Sequence, residues 1–383
     1  MPALPLFPVT TVGSWPRPPE LLQAQRRVRR GELAESEFER LADRAVLEVL
    51  RLQEEAGADI VTDGEQRRDN FYSFVARKLA GVRLMTLAEM LEVIEDKAGF
   101  ERLLQTLDVP AYSISNPICD GKIERRRPLA ADELRFVKKH THKPVKVPLP
   151  GPYLLTRAMY LAEVTRAVYP SKEALGDDVV RILRDEVREL VAEGADFIQF
   201  DEPVLTELVF TQGQTRTFMC AALAARKDPA QELDFAVSLL ERVLDGQEGV
   251  RTGLHVCRGN WSRDETTLLR GSYAPLAASL QRVPVRQLVL EYATERAGDV
   301  LPFAGKELGL GVVNPRTDEV ESAAEILSAA RRALEHYAAE QLFLNPDCGF
   351  GTFSNRPVAS SELAFRKLRA IADAARVLRQ EVG

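Results

Sequence analysis

The stretch "AEGADFIQFDEP", Ala192–Pro203, decides the fold of this 383-residue chain. It closes a charged, helical stretch on a glycine, runs a short apolar strand and ends in carboxylates. A second stretch, "EAGADIVTDGE" at Glu55–Glu65, repeats the order of events. A glycine at a helix end is a stop signal because it takes the left-handed turn at no steric cost, so this part of the echo is structural. Outward from this pair, helical stretches alternate with short runs of Val, Ile, Leu and Phe, the rhythm of βα units. The pattern predicts strands at Val9–Gly13, Asp59–Asp63, Val145–Pro148, Phe197–Asp201, Gly253–Cys257, Gln287–Glu291, Gly309–Val313 and Leu342–Asn345. Predicted helices include Glu35–Ala56, Lys172–Glu193, Pro229–Leu244, Val320–Glu340 and Ser360–Arg379. Eight buried strands spaced by helices predict an α/β architecture, a (βα)8 TIM barrel. Lys78–Arg127 breaks the rhythm, with a helical piece around Leu87–Thr106, and reads as an insertion or hairpin over the barrel mouth. No linker rich in Pro, Gly or Ser divides the chain, so residues 1–383 are expected to form a single domain.

Composition narrows the function. The net charge of -6 argues against a nucleic-acid partner, because phosphate binding needs a basic excess. The basic runs "RRVRRG" and "ERRRP" read as solvated edges. No apolar run is long enough to cross a bilayer, so no membrane partner is expected. The opening residues lack the basic start and apolar stretch of a secretory signal, which predicts a cytoplasmic protein without disulfides. Cys119, Cys220, Cys257 and Cys348 then read as buried hydrophobes, nucleophiles or metal ligands.

In barrels of this kind the chemistry sits on loops after the carboxyl ends of the strands, and the unusual residues of this chain fall there. In "HVCRGN", residues i and i+2 of a strand share a face, so His255 and Cys257 can aim together into the barrel mouth. Alone, each could equally be an ordinary core residue. "LVLEYA" puts Glu291 directly after three apolar residues, where a buried charge needs a cation or donors. "NPDCGFGTF" sets Cys348 on a glycine-rich loop. Together the four predict a zinc site of the catalytic kind, with two thiolates, an imidazole and a replaceable oxygen ligand. The alternative is a lone buried thiol at each cysteine and a salt-bridged Glu291. Zinc is soft enough to bind sulfur, and bound sulfur is deprotonated and nucleophilic toward an alkyl group.

The motifs "IQFDEPVL", "HVC", "LEYA" and "NPDCG", in this order and on these strands, resemble the catalytic barrel of the cobalamin-independent methionine synthases. The likeness runs from "TTVGSWPRP" to "LFLNPDCGFGT". It implies a barrel of the type shared with uroporphyrinogen decarboxylase. It also implies Zn2+ held by His255, Cys257, Glu291 and Cys348, and homocysteine whose sulfur displaces Glu291 before attacking a methyl group. Val12, Gly13 and Ser14 match the segment that holds the substrate carboxylate. Glu65 and Asp201 match the acids that hold its ammonium, and Glu207 matches a folate-contacting acid that is retained. Three departures accompany the likeness. Full-length members of that family carry a further N-terminal barrel for which this chain has no room. A folate-stacking tryptophan is matched by Ala158, and a proton-donating histidine by Arg316. Loss of the general acid suits a methylcorrinoid donor, free or on a corrinoid protein, rather than methyl-folate, because cobalt(I) leaves without a proton. Arg316 would offer charge there but is a poor acid. Three other readings stand beside this one: a zinc alkyltransferase acting on another thiol such as coenzyme M, a uroporphyrinogen decarboxylase-like barrel, and a zinc-stabilised binding subunit without activity.

Overall fold

The computed structural model describes residues 3–95, 97–98, 115–210 and 228–382. Cys220 and most of the predicted helical piece beyond Val93 lie outside them. Strands β3 (Lys146–Pro150), β4 (Phe197–Asp201), β5 (Arg251–Val256), β6 (Gln287–Leu290), β7 (Glu307–Val313) and β8 (Leu342–Pro346) form a parallel sheet in that order. The first two predicted strands take their places without joining the ladder. Parallel bridges at Val9↔Leu344, Thr10↔Ile60 and Val61↔Val145 link β8 to the first stave, the first to the second and the second to β3. The ring is therefore closed, as a (βα)8 barrel requires.

What replaces ladder bonds at the first two staves is side-chain chemistry. Helix Glu35–Ala56 buries Phe38, Ala42, Ala45, Val46, Val49 and Gln53, a stripe at helical spacing that faces the barrel. Gln53 is the one polar member of that stripe. Its amide donates to Thr62 O at 2.8 Å and its oxygen accepts from Thr62 N at 3.0 Å and Thr11 Oγ1 at 3.3 Å, tying both staves to the helix. At the other end Arg379 of the last helix, Ser361–Val382, donates to Leu6 O, Phe7 O and Asp59, and Asp59 in turn accepts from Val9 N. The helix stop signals hold as expected, with Gly57 at φ 98° and Gly194 at φ 77°.

The segment that broke the rhythm contains an antiparallel hairpin, β1 (Leu79–Thr86) with β2 (Ser115–Arg125). Its register shifts beside Gly81, whose φ is 70° and where a Cβ would sit 2.3 Å from Lys122 O. Helix Leu87–Val93 follows through a capping box of Thr86 and Glu89, and Met85, Met90, Ile118 and Leu161 form a small core beneath it. The predicted helix Val320–Glu340 is shorter, Ala323–Leu334. Ser322 caps its start with Glu325, leaving Val320 and Glu321 outside. Among the described residues no helix is long and apolar enough to cross a membrane.

Candidate active site

His255 lies on β5, Cys257 one residue past its end, and Cys348 two residues past β8. All three are buried, and one ligand atom from each lies within 4.8 Å of the others. His255 is oriented for ligation: Nδ1 lies 3.1 Å from Val289 O, so its proton goes to that carbonyl and the lone pair of Nε2 is free. Among the described residues Nε2 has no hydrogen-bond partner, which is the state of a nitrogen facing a cation. A hydrogen bond with Cys348, together with burial, pushes the Cys257 thiol well above its ordinary range. Two thiolates cannot share this space without a positive charge between them, so the donor set fits a soft divalent ion.

These groups line a cavity together with Val12, Ser14, Glu65, Asp201, Asn260 and Trp261. Glu65 sits at φ 54°, a strained value for a residue with a Cβ. Three contacts hold it there: its N–H donates to Asp63 Oδ1 at 2.9 Å, its carbonyl accepts from Arg17 Nη2 at 2.7 Å, and its Oε1 fits where any side chain at Gly13 would clash at 2.6 Å. Gly13 thus makes room for the carboxylate. Burial pushes the Glu65 carboxyl up to about 7 against the pull of Arg68 and Arg17, and burial raises Asp201 as well despite His255. Two buried acids beside an apolar wall are arranged to receive a cation, such as an ammonium group.

Glu291 is not brought to the three ligands by this geometry. It is fully buried one residue past β6, and its carboxylate is fully engaged. One oxygen accepts from Arg258 N at 2.8 Å and Arg258 Nη1 at 3.2 Å, the other from Arg296 Nη2 at 2.9 Å and from Asn260. Burial would raise its pKa, but Arg296 and Arg258 outweigh it and hold the carboxyl below the usual range. The structure therefore supplies the ion pair that sequence reading offered as an alternative to ligation.

Residues 7–376 match the family model described as cobalamin-independent synthase, catalytic domain. The chain belongs to that family. It is an enzyme, a methyltransferase. A methionine synthase of Thermococcus kodakarensis is 30% identical over 99% of this chain and 95% of its own length, and one of Pyrococcus abyssi is 28% identical over the same shares. Among solved structures, a B12-independent methionine synthase from Shewanella in complex with selenomethionine superposes with a TM-score of 0.72 at 24% identity, covering 98% of this chain and 99% of that one. This last likeness concerns the fold.

The remaining residues at positions matched to the family are not in the cavity lining. Arg316 is buried and does not line the cavity; its Nε donates to Asn260 Oδ1 at 2.9 Å and its Nη2 to Glu265 at 2.8 Å. Glu207, on helix Val204–Phe210, is buried and also outside the lining. Ala158 is buried on helix Pro152–Met159.

Several residues that shape the site lie inside these motifs, which gave no sign of their roles. Asn260 is the hub between Glu291, Arg296 and Arg316; it was quoted in "HVCRGN", and only its place at a strand end could have marked it. Asp347 accepts from Tyr292 N and Ala293 N at 2.9 Å, fastening the loop after β6 to the loop that carries Cys348. Glu202 accepts from Tyr153 N and Leu154 N and caps helix Pro152–Met159 across the chain, an approach open only because residue 151 is glycine.

Proposed function

We propose that this enzyme transfers a methyl group to the thiol of L-homocysteine, giving methionine, with zinc held by His255, Cys257 and Cys348. The observation that supports it is one cavity lined both by a donor set of two sulfurs and one nitrogen and by Glu65, Asp201 and Ser14. When bound, zinc supplies the Lewis acidity that lets an incoming thiol react as thiolate at neutral pH. Glu65 and Asp201 receive the substrate ammonium, and Ser14 with the backbone of Val12 and Gly13 receives its carboxylate. A zwitterion held at both ends leaves its sulfur one place to go. Trp261 and Phe71 line the cavity and help keep water from the reacting atoms. In the transfer the sulfur–methyl bond forms as the methyl–donor bond breaks, and the thiol proton leaves. Glu291, as an arginine-held carboxylate beside the cluster, is the oxygen ligand implied by the family likeness only if Arg258 and Arg296 release it. The single-domain organisation and a cytoplasmic location belong to the same reading.

For the donor, the reading favours a methylcorrinoid, free or protein-borne, over methyl-folate. Arg316, the residue at the place of the family's proton donor, is permanently charged and tied to Asn260 and Glu265, so it has no proton to give a departing amine. The test is methionine formation from homocysteine by zinc-loaded and chelator-treated protein, with each donor in turn. Turnover lost on chelation and restored by zinc is expected, fastest with methylcobalamin. Activity indifferent to chelation ends the zinc reading, and turnover with methyl-folate alone ends the corrinoid one. Efficient methylation of coenzyme M in place of homocysteine would move the enzyme to another thiol.

A further inference from the structure

Barrel interiors are filled in layers by branched apolar side chains, and one layer of this barrel is not. Directly beneath the cavity, Gln199 on β4, Gly253 on β5 and Gln287 on β6 stand in one register, and Asn345 on β8 and Gly309 on β7 face the same interior. A Cβ at Gly309 would lie 2.7 Å from Asn345 Oδ1 and 3.2 Å from Gln287 Oε1, so the two amide oxygens converge on the spot that this glycine leaves open. Lys146, at the start of β3, enters the barrel below them with its ammonium 5.4 Å from the Phe197 ring.

All four polar side chains are at most 1% exposed. Lys146 Nζ, Gln199 Oε1, both amide atoms of Gln287 and Asn345 Oδ1 have no hydrogen-bond partner among the described residues. Buried polar groups are satisfied in nearly every native protein, so this layer points to a ligand. Its character follows from the groups. Lys146 and the Gln287 amide nitrogen donate, three amide oxygens accept, and a set of such mixed polarity suits water rather than a cation or an anion. The layer also touches the site, because Gln199 donates to Asp201 Oδ1 at 2.8 Å and to Val12 O at 3.0 Å.

We propose that these four side chains hold a cluster of internal waters, and that the cluster carries the proton shed by the acceptor thiol to the Lys146 amine. The proton's origin rests on the reading of the site as a thiol methyltransferase. In the step an S–H bond breaks and leaves its electron pair on sulfur, an N–H bond forms on Lys146, and the waters between are regenerated. The ammonium gives its proton back to solvent after the uncharged thioether has left. Lys146 is suited to this because burial pushes it down to about 7, against the pull of Asp201. Arg251, in register with it through Phe197, is already neutralised by Glu307 at 2.8 and 3.0 Å, so Asp201 is its charged neighbour.

The experiment counts protons. Homocysteine binding to the metal-loaded full chain is followed by calorimetry in buffers of different ionisation enthalpy, for wild type, Lys146→Met and Lys146→Gln. Glu65 and Asp201 are common to all three, so the difference isolates residue 146. Near pH 8 wild type should release fewer protons to buffer than either variant, the gap approaching one proton, and below pH 6 the three should agree. Equal counts at every pH, with the sulfur-to-metal absorption of cobalt-loaded protein appearing normally on homocysteine binding, would overturn the role of Lys146 and leave the function reading intact. Binding without that absorption would remove the thiolate and overturn both. A crystal structure showing ordered water bonded to Lys146, Gln287 and Asn345 supports the cluster, and a dry, self-paired layer overturns it.

Discussion

The two halves of the barrel are built differently. From β3 to β8 the strands are joined by continuous parallel ladders, and this half carries His255, Cys257 and Cys348. The staves around Val9–Gly13 and Asp59–Asp63 are joined by single bridges, and this half carries Ser14 and Glu65. A metal centre tolerates errors of a few tenths of an ångström, and a ladder supplies that stiffness. The bridged staves are held instead by side chains, Gln53 beneath and Arg17 beside.

The comparison can be broken most severely at the laddered half. Cys257→Ser or Cys348→Ser should lower metal content and reduce methyl transfer by more than ~100-fold, since even groups that only support a ligand cost 10–100-fold. Metal analysis beside the activity assay checks this, and unchanged metal content would break the assignment.

In the bridged half, Glu65→Gln should raise KM for homocysteine by roughly 10- to 100-fold with a smaller change in kcat, as for loss of a hydrogen bond to a charged group. Its pH dependence has a definite sign. The carboxyl titrates near 7, so wild-type KM should fall as pH rises through 7 and Glu65 ionises, whereas the variant should lack that inflection. A larger effect on kcat than on KM would move Glu65 from recognition to chemistry.

Gln53→Leu sharpens the contrast from the side of stability. It removes the bonds to Thr62 and Thr11 and leaves buried backbone groups unpaired, so a loss of about 2 kcal/mol is expected in denaturant unfolding. Metal affinity should barely change, because the ladder that carries the ligands does not depend on this residue.

The last test concerns Lys146. Its folded pKa, about 7, lies below the ordinary 10.5, so between these values the unfolded chain binds more protons. Stability should therefore rise with pH across that window and be flat below it, and Lys146→Met should remove the slope.

Much of this was legible in sequence. All eight staves fall where the alternation of apolar runs and glycine-stopped helices put them, because burial on both faces leaves a signature in the chain. Strand periodicity likewise brought His255 and Cys257 to one face, and their meeting with Cys348 followed from the rule that loops at one rim converge. What sequence could not show is which partner a buried charge chooses. Glu291 reads the same whether it faces a metal or two arginines, and Arg258 and Arg296 reach it through a fold whose contacts are not local. The weak pairing of the first two staves was hidden for a related reason: an apolar run says that a segment is buried, not how many hydrogen bonds it makes.

Closure of the ring by Thr10 N on Leu344 O, reinforced by Arg379 on Leu6, Phe7 and Asp59, joins the earliest residues of the chain to nearly the latest. During synthesis the opening segment must wait for more than three hundred residues to emerge before it finds its neighbours. The wall that carries Ser14 and Glu65 is thus completed after the last strand, and a ribosome-bound intermediate lacking that strand would leave Val9 without its bridge to Leu344.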